Sequence, residues 1–172
     1  MRVLHIINLT SVLSVTEPDM TTIAASKEEM ASDSKTTVTT KAEDRAYLCA
    51  KLVRHSSGDI IGCAGDADLI EKFVAWYKTK KRRPNFPKDA EFEALILTAQ
   101  GDLVYYDETL SRDRLHNDCF AVGSGGNAAR GAMLAGCDPI TAVEIATKID
   151  PHSGGPVQVM RRETIENNRS GE

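Results

Sequence analysis

The sequence predicts a layered α+β fold in which antiparallel strands are covered by helices. Three observations point to it. Short apolar or β-branched runs separated by polar turns fill residues 21–65, the period becomes helical over residues 66–80, and glycine and Asp-Pro cap signals bracket two further helices, 127–135 and 140–149. Strands that follow one another directly tend to pair antiparallel, whereas a doubly wound sheet alternates each strand with a helix.

Taken in order, Thr21–Ser26 and Met30–Asp33 flank the polar turn Lys27-Glu28-Glu29 and read as a hairpin. Ser34–Thr40 is rich in Thr and Val and suits a strand, and Lys41–Arg45 is charged and turn-like. Tyr47–Arg54 alternates moderately and ends at the turn His55-Ser56-Ser57-Gly58; Asp59–Cys63 is an apolar strand closed by Ala64-Gly65. Leu69, Ile70, Phe73, Val74 and Tyr77 then fall at helical spacing, with Asp66 or Asp68 as cap and Pro84 as stop. The run Lys80-Lys81-Arg82-Arg83 fits a nucleic-acid or targeting element, but cations at a helix C-terminus complement its dipole, which accounts for them.

Asn85–Glu91 is a loop preceded by Pro84 and containing Pro87, Phe92–Ala99 and Leu103–Asp107 form a hairpin around Gln100-Gly101, and Glu108–Asn117 is a polar connection. Cys119–Val122 is a short strand, and Gly123-Ser124-Gly125-Gly126 opens the helix Asn127–Ala135, which Gly136 closes. Asp138-Pro139 starts the helix Ile140–Ile149, Asp150–Gly155 is a loop, and Pro156–Met160 is a strand.

Composition narrows the function classes. A chain of 172 residues suffices for one domain with a sizeable core, and 41% hydrophobic with 27% charged residues is ordinary for a soluble protein. A net charge of −4 and 5% aromatic content argue against nucleic acid as a partner. Cys49, Cys63, Cys119 and Cys137 form no Cys-x-x-Cys pair and read as small buried hydrophobes of a reducing compartment. The scattered His5, His55, His116 and His152 make a zinc cluster improbable, so no metal or organic cofactor is expected. No run reaches the roughly 18 apolar residues of a membrane helix, and Val3–Val15 is too interrupted for a secretory signal. The expected location is the cytoplasm, with no membrane partner.

The stretch with most chemistry in it is Met20-Thr21-Thr22-Ile23. If residues 1–20 are removed, Thr21 carries a free α-amine beside its own hydroxyl, a nucleophile together with a base. A terminal amine has an ordinary pKa of roughly 7.7–8.0, so a useful fraction is neutral near neutrality; inside a chain the same nitrogen is an amide without basicity. Residues 1–20 are then either a propeptide or the product of translation read from too early a start, with Met20 the true start and Met20 removal exposing Thr21; the second is slightly favoured. The expected organisation is an extension at 1–20, a domain at 21–165 and a polar tail at 166–172.

Five ordered features make the chain from Thr21 to about Met160 resemble a proteasome β-type subunit and the related bacterial peptidase HslV, both N-terminal-threonine (Ntn) hydrolases. They are the start Met20-Thr21-Thr22-Ile23, the segment Ala31-Ser32-Asp33-Ser34, Lys51 within Ala50-Lys51-Leu52, Cys63-Ala64-Gly65 followed by Asp66-Ala67-Asp68, and Val122-Gly123-Ser124-Gly125-Gly126 with the later Asp150-Pro151-His152-Ser153-Gly154-Gly155. The resemblance implies a four-layer αββα sandwich of two antiparallel sheets and a threonine-type endopeptidase acting on peptides or unfolded protein. It implies a homo-oligomer, with ring form open, and an ATP-dependent unfoldase as partner.

It also implies roles. Thr21 supplies the nucleophile and base, Lys51 holds positive charge beside them, and Asp33 pairs with Lys51. Ser124 and Ser153 hydrogen-bond around the terminal amine, Asp150 orients Ser153, and the Gly65 N–H receives the oxyanion. The sequence departs from the family where a second long helix normally follows the first: Arg82–Glu91 is a proline-bearing loop. Met20 rather than Gly precedes Thr21, which favours an aminopeptidase over self-cleavage. The competing readings are a catalytically silent structural subunit, an amidase for small amides, and a dinucleotide-binding turn at Gly123-x-Gly125-x-x-Ala128 with Glu144 as its acid.

Overall fold

A computed structural model describes residues 21–39 and 44–163. The expected extension 1–20, most of the charged turn beginning at Lys41, and the tail 166–172 lie outside the described residues. The chain opens with a hairpin of β1 (Ile23–Ser26) and β2 (Glu29–Ser32). β3 (Lys35–Thr39) pairs antiparallel with β4 (Asp44–Leu48), so Asp44 and Arg45, expected in a turn, begin a strand instead. The single strand expected over Tyr47–Arg54 is two, because the chain breaks at Cys49–Lys51 before β5 (Leu52–Arg54).

Next come β6 (Ile60–Gly65) and α1 (Ala67–Thr79). The Asp66 carboxylate caps α1 by accepting from the Asp68 N–H at 2.8 Å, and Lys80 ends it in the left-handed region. Residues 80–91 are not helical, as their prolines suggest. β7 (Phe92–Leu97) and β8 (Leu103–Tyr106) form the expected hairpin. The polar connection hides one more strand, β9 (Arg112–Leu115), on the edge of the sheet. Its sequence, Arg-Asp-Arg-Leu, carries no apolar alternation, and charge on an edge strand blocks pairing with other chains. β10 (Cys119–Val122), α2 (Gly126–Leu134), α3 (Pro139–Ile149) and β11 (Gln158–Arg161) complete the chain. Asp138 caps α3 by accepting from the Thr141 N–H at 2.8 Å.

The two larger sheets run β10-β1-β2-β11 and β5-β6-β7-β8-β9, and every pairing in them is antiparallel. Their layers follow from side-chain size. Ile23, Met30, Leu52, Ile60, Leu95, Leu97 and Val122 fill the space between the sheets. On the other face of the first sheet Ala24, Ala31 and Ala121 meet Ala129, Ala142, Val143 and Ala146, small residues that let α2 and α3 lie close. On the far face of the second sheet Ile61, Cys63, Ala94 and Ile96 pack against Leu69, Phe73 and Tyr77 of α1. Both faces of the inner strands β6 and β7 are buried, so these read as continuous apolar runs without clean alternation. The result is a four-layer αββα sandwich. The layer of α1 holds one helix, and Phe86 from the following loop packs there on Phe92 with ring centroids 4.9 Å apart.

Candidate active site

The hairpin β1–β2 places Thr21 just before one strand and Asp33 just after the other. The break between β4 and β5 carries Lys51 toward both. Gln158 of β11 fixes that break: its Oε1 accepts from the Lys51 N–H at 3.1 Å and its Nε2 donates to the Cys49 carbonyl at 2.5 Å. The Lys51 ammonium donates to Thr21 Oγ1 and, at 2.9 Å, to Asp33 Oδ1. The Lys51 and Asp33 side chains are 7% and 0% exposed, so this ion pair is inside the protein and water does little of its solvation.

Asp33 is instead solvated by the chain. Besides Lys51, its Oδ1 accepts from the Thr22 N–H at 3.0 Å, and its Oδ2 accepts from the N–H groups of Lys35 at 3.2 Å and Gly154 at 2.9 Å. Both oxygens are fully used, which offsets the desolvation of a buried carboxylate.

The second group is built at the end of α3. Asp150 donates its N–H to the Ala146 carbonyl, which ends the helix and points the carboxylate inward. Asp150 Oδ2 accepts from the Ser124 hydroxyl at 2.6 Å and the Ser153 hydroxyl at 2.7 Å. Each hydroxyl has one proton. With the Ser153 proton committed to Asp150, the 2.7 Å contact between Ser153 Oγ and Thr22 Oγ1 must have Thr22 as donor. Ser124 Oγ also lies 3.4 Å from the Thr21 carbonyl oxygen. Burial pushes the Asp150 carboxyl up, but the hydroxyls of Ser124 and Ser153, the His152 N–H and the nearby His152 ring outweigh it and hold it below the ordinary carboxylate value.

Two glycines mark close approaches. A Cβ on Gly123, at φ +87, would fall 2.0 Å from the Thr21 carbonyl oxygen. One on Gly65, at φ +112, would fall 2.0 Å from the Glu91 carbonyl oxygen. The Asp66 N–H bonds to that same carbonyl at 2.9 Å, so by the antiparallel alternation the Gly65 N–H points away from β7. On that side β5 pairs only as far as Gly62, which leaves the Gly65 N–H beyond its end. Gly65→Ala is expected to cost at least about 1–3 kcal/mol from backbone conformation alone, with the clash adding to it; a denaturant midpoint unchanged from the parent would contradict this.

Thr21 and Lys51 border a cavity of about 460 Å³ whose other walls are mainly Val53, Ile61, Cys63, Ile70 and Val74. Burial alone pushes the Cys63 thiol far up, so it is an inert wall rather than a second nucleophile. On the other side, Gly65, Ser124, Glu91 and Glu93 line a second cavity of about 380 Å³. Among the described residues no group of His, Cys, Asp and Glu is arranged to hold a metal ion.

All seven residues singled out in the sequence lie within these two groups or at the end of β6. Sequence reasoning did not find Thr22, Gln158, or Glu93, whose Oε2 accepts from the Gly123 N–H at 2.9 Å. Only Thr22, adjacent to Thr21, carried a signal. The dinucleotide reading fails: the strand before the Gly123 turn pairs antiparallel with β1, and among the described residues no parallel βαβ unit surrounds it.

No protein-family model matches the chain, and no curated protein matches it. Solved structures do. The eukaryotic HslV from Trypanosoma brucei is 21% identical with a TM-score of 0.62, the match covering 81% of this chain and 98% of that one. BPH of Thiobacillus denitrificans is 18% identical with a TM-score of 0.56, over 84% of this chain and 98% of that one. The same protein in complex with epoxomicin matches at 18% identity and a TM-score of 0.57, over 84% of this chain and all (100%) of that one. The chain thus has a proteasome-like, HslV-type fold.

Proposed function

We propose that the chain is a threonine-type endopeptidase acting through Thr21 after residues 1–20 are removed, with 21–165 as the hydrolase domain and 166–172 as a polar tail. One observation carries the reading: a buried ammonium donates to the Thr21 hydroxyl and is itself held by a fully hydrogen-bonded carboxylate. That arrangement favours the oxygen as it gains negative charge.

In the proposed reaction the Thr21 oxygen attacks a peptide carbonyl while the freed α-amine takes its proton. The Gly65 N–H receives the oxyanion, an interaction of roughly 3–4 kcal/mol in such sites. The C–N bond breaks as the amine returns the proton to the leaving nitrogen, which leaves an ester on Thr21. Water, deprotonated by the same amine, then attacks the ester and regenerates the hydroxyl. Ser124, Asp150 and Ser153 position the Thr21–Thr22 backbone. The mainly apolar cavity beside Thr21 suits an apolar side chain next to the scissile bond.

The proposal includes self-assembly and an ATP-dependent unfoldase as partner, both on the likeness to HslV. The free cysteines among the described residues suit a reducing cytoplasm, and no described helix is long and apolar enough to cross a membrane. The test is the mass of the mature protein from its host, followed by turnover of fluorogenic peptides with an apolar residue before the reporter. A mature chain starting at Thr21 that cleaves them is expected. A chain that keeps residues 1–20 fits a silent subunit, and one that cleaves only small amides fits an amidase; either result sinks the reading.

A further inference from the structure

The cations at the end of α1 do more than face the helix dipole. Lys80 folds back so that its ammonium lies 3.2 Å from the Tyr77 ring centroid and 4.6 Å from that of Trp76. It does so from a left-handed backbone, φ +52, a conformation that costs a non-glycine residue energy. Arg83 comes from the loop after α1 and is held by donating to the Thr109 carbonyl at 2.5 Å. Arg112 comes from β9 and sits beside the Tyr106 phenol. These three cations, two from the end of α1 and the loop after it and one from β9, line one open cavity of about 690 Å³ together with Trp76, Tyr106 and Ser111.

No acidic residue lines that cavity. Among the described residues Lys80, Arg83 and Arg112 have no ion-pair partner. Two carboxylates lie close without lining the cavity: Asp59, which accepts from the Tyr77 phenol at 3.0 Å and acts on Lys80, and Asp107, which accepts from the Thr109 hydroxyl at 2.6 Å. Desolvation draws the Lys80 ammonium down to about 8, with Asp59 opposing that and Arg112 adding to it. The partial charge at a helix C-terminus is only about −0.5, too small to balance three cations. A single carboxylate also leaves charge unmatched and most of the cavity empty. Guanidinium forks match the oxygens of phosphoryl groups, and a chain of such groups carries several charges.

We propose that this cavity binds a polyphosphate group, carried by a free polyphosphate chain or by a nucleoside triphosphate, through Lys80, Arg83 and Arg112. The site is independent of the Thr21 chemistry.

The test is calorimetric titration of the full chain at low ionic strength with sodium tripolyphosphate and, separately, with a nucleoside triphosphate. Saturable binding is expected, and Lys80→Gln, Arg83→Gln and Arg112→Gln should each weaken it about tenfold, the loss of roughly one charge-assisted contact. A Lys81→Gln/Arg82→Gln double variant, altered just outside the cavity lining, should change it less than about twofold. Tighter binding of the nucleotide assigns the ligand to that class and its ring to Trp76 or Tyr106; equal binding assigns it to free polyphosphate. Absence of saturable binding to the parent protein overturns the proposal, and so does an equal loss in the Lys81/Arg82 variant, which marks diffuse charge attraction.

Discussion

Thr21→Ala, in a chain whose amino terminus is set at residue 21, loses hydrolysis by roughly 10⁴-fold or more while remaining folded. The variant keeps the α-amine, Lys51 and the cavity but has no oxygen to form the ester. Thr21 is 3% exposed, so the hydroxyl and methyl group are missed, at about 1–2 kcal/mol. That is small against the stability of a domain. Asp33 still accepts all four of its hydrogen bonds, so the buried ion pair survives. Thr21→Ser keeps the oxygen and should retain measurable turnover. Peptide cleavage by the alanine variant at the parent rate removes Thr21 from the mechanism.

The largest loss of stability is expected at Asp33. Asp33→Asn leaves the Lys51 ammonium, 7% exposed, with the Thr21 hydroxyl but no counter-charge, and turns an amide NH₂ toward backbone donors. Breaking a buried pair from one side costs about 3–5 kcal/mol, and this variant belongs at the upper end. Lys51→Ala belongs at the lower end, because the N–H groups of Thr22, Lys35 and Gly154 still solvate the Asp33 carboxylate. Activity reverses the emphasis: Lys51→Ala removes the group that touches the Thr21 oxygen and should nearly abolish turnover. A double variant, Asp33→Asn with Lys51→Ala, should recover part of the stability and none of the activity. Urea unfolding of the four proteins gives the coupling; if the two single losses simply add, the pair is not the unit described here.

Local chemistry made much of the fold legible. Asp66 and Asp138-Pro139 announce their helices because a cap is satisfied within three residues of itself. Thr21, Asp33 and Lys51 were legible as types at a spacing, through the resemblance they carry. What was not legible is long-range or lacks apolar content. The break at Cys49–Lys51 exists because Gln158 clamps it from 107 residues away, and nothing near Lys51 says so. β9 is a strand because Tyr105 and Tyr106 lend it a partner edge, not because Arg-Asp-Arg-Leu favours one. The Thr22–Ser153 contact spans 131 residues. Glu93 sits in a run that reads only as apolar strand, and its role appears once the Gly123 turn is folded against it.

The order in which these parts leave the ribosome has its own outcome. Thr21, Asp33 and Lys51 emerge early, whereas Asp150, Ser153 and Gly154 emerge near the end of synthesis. Until then Asp33 lacks the Gly154 amide and Thr22 lacks its hydroxyl acceptor. The proposed site is therefore incomplete for nearly the whole of translation, and on the proposed function an unfinished polypeptide is harmless to itself and to its nascent neighbours.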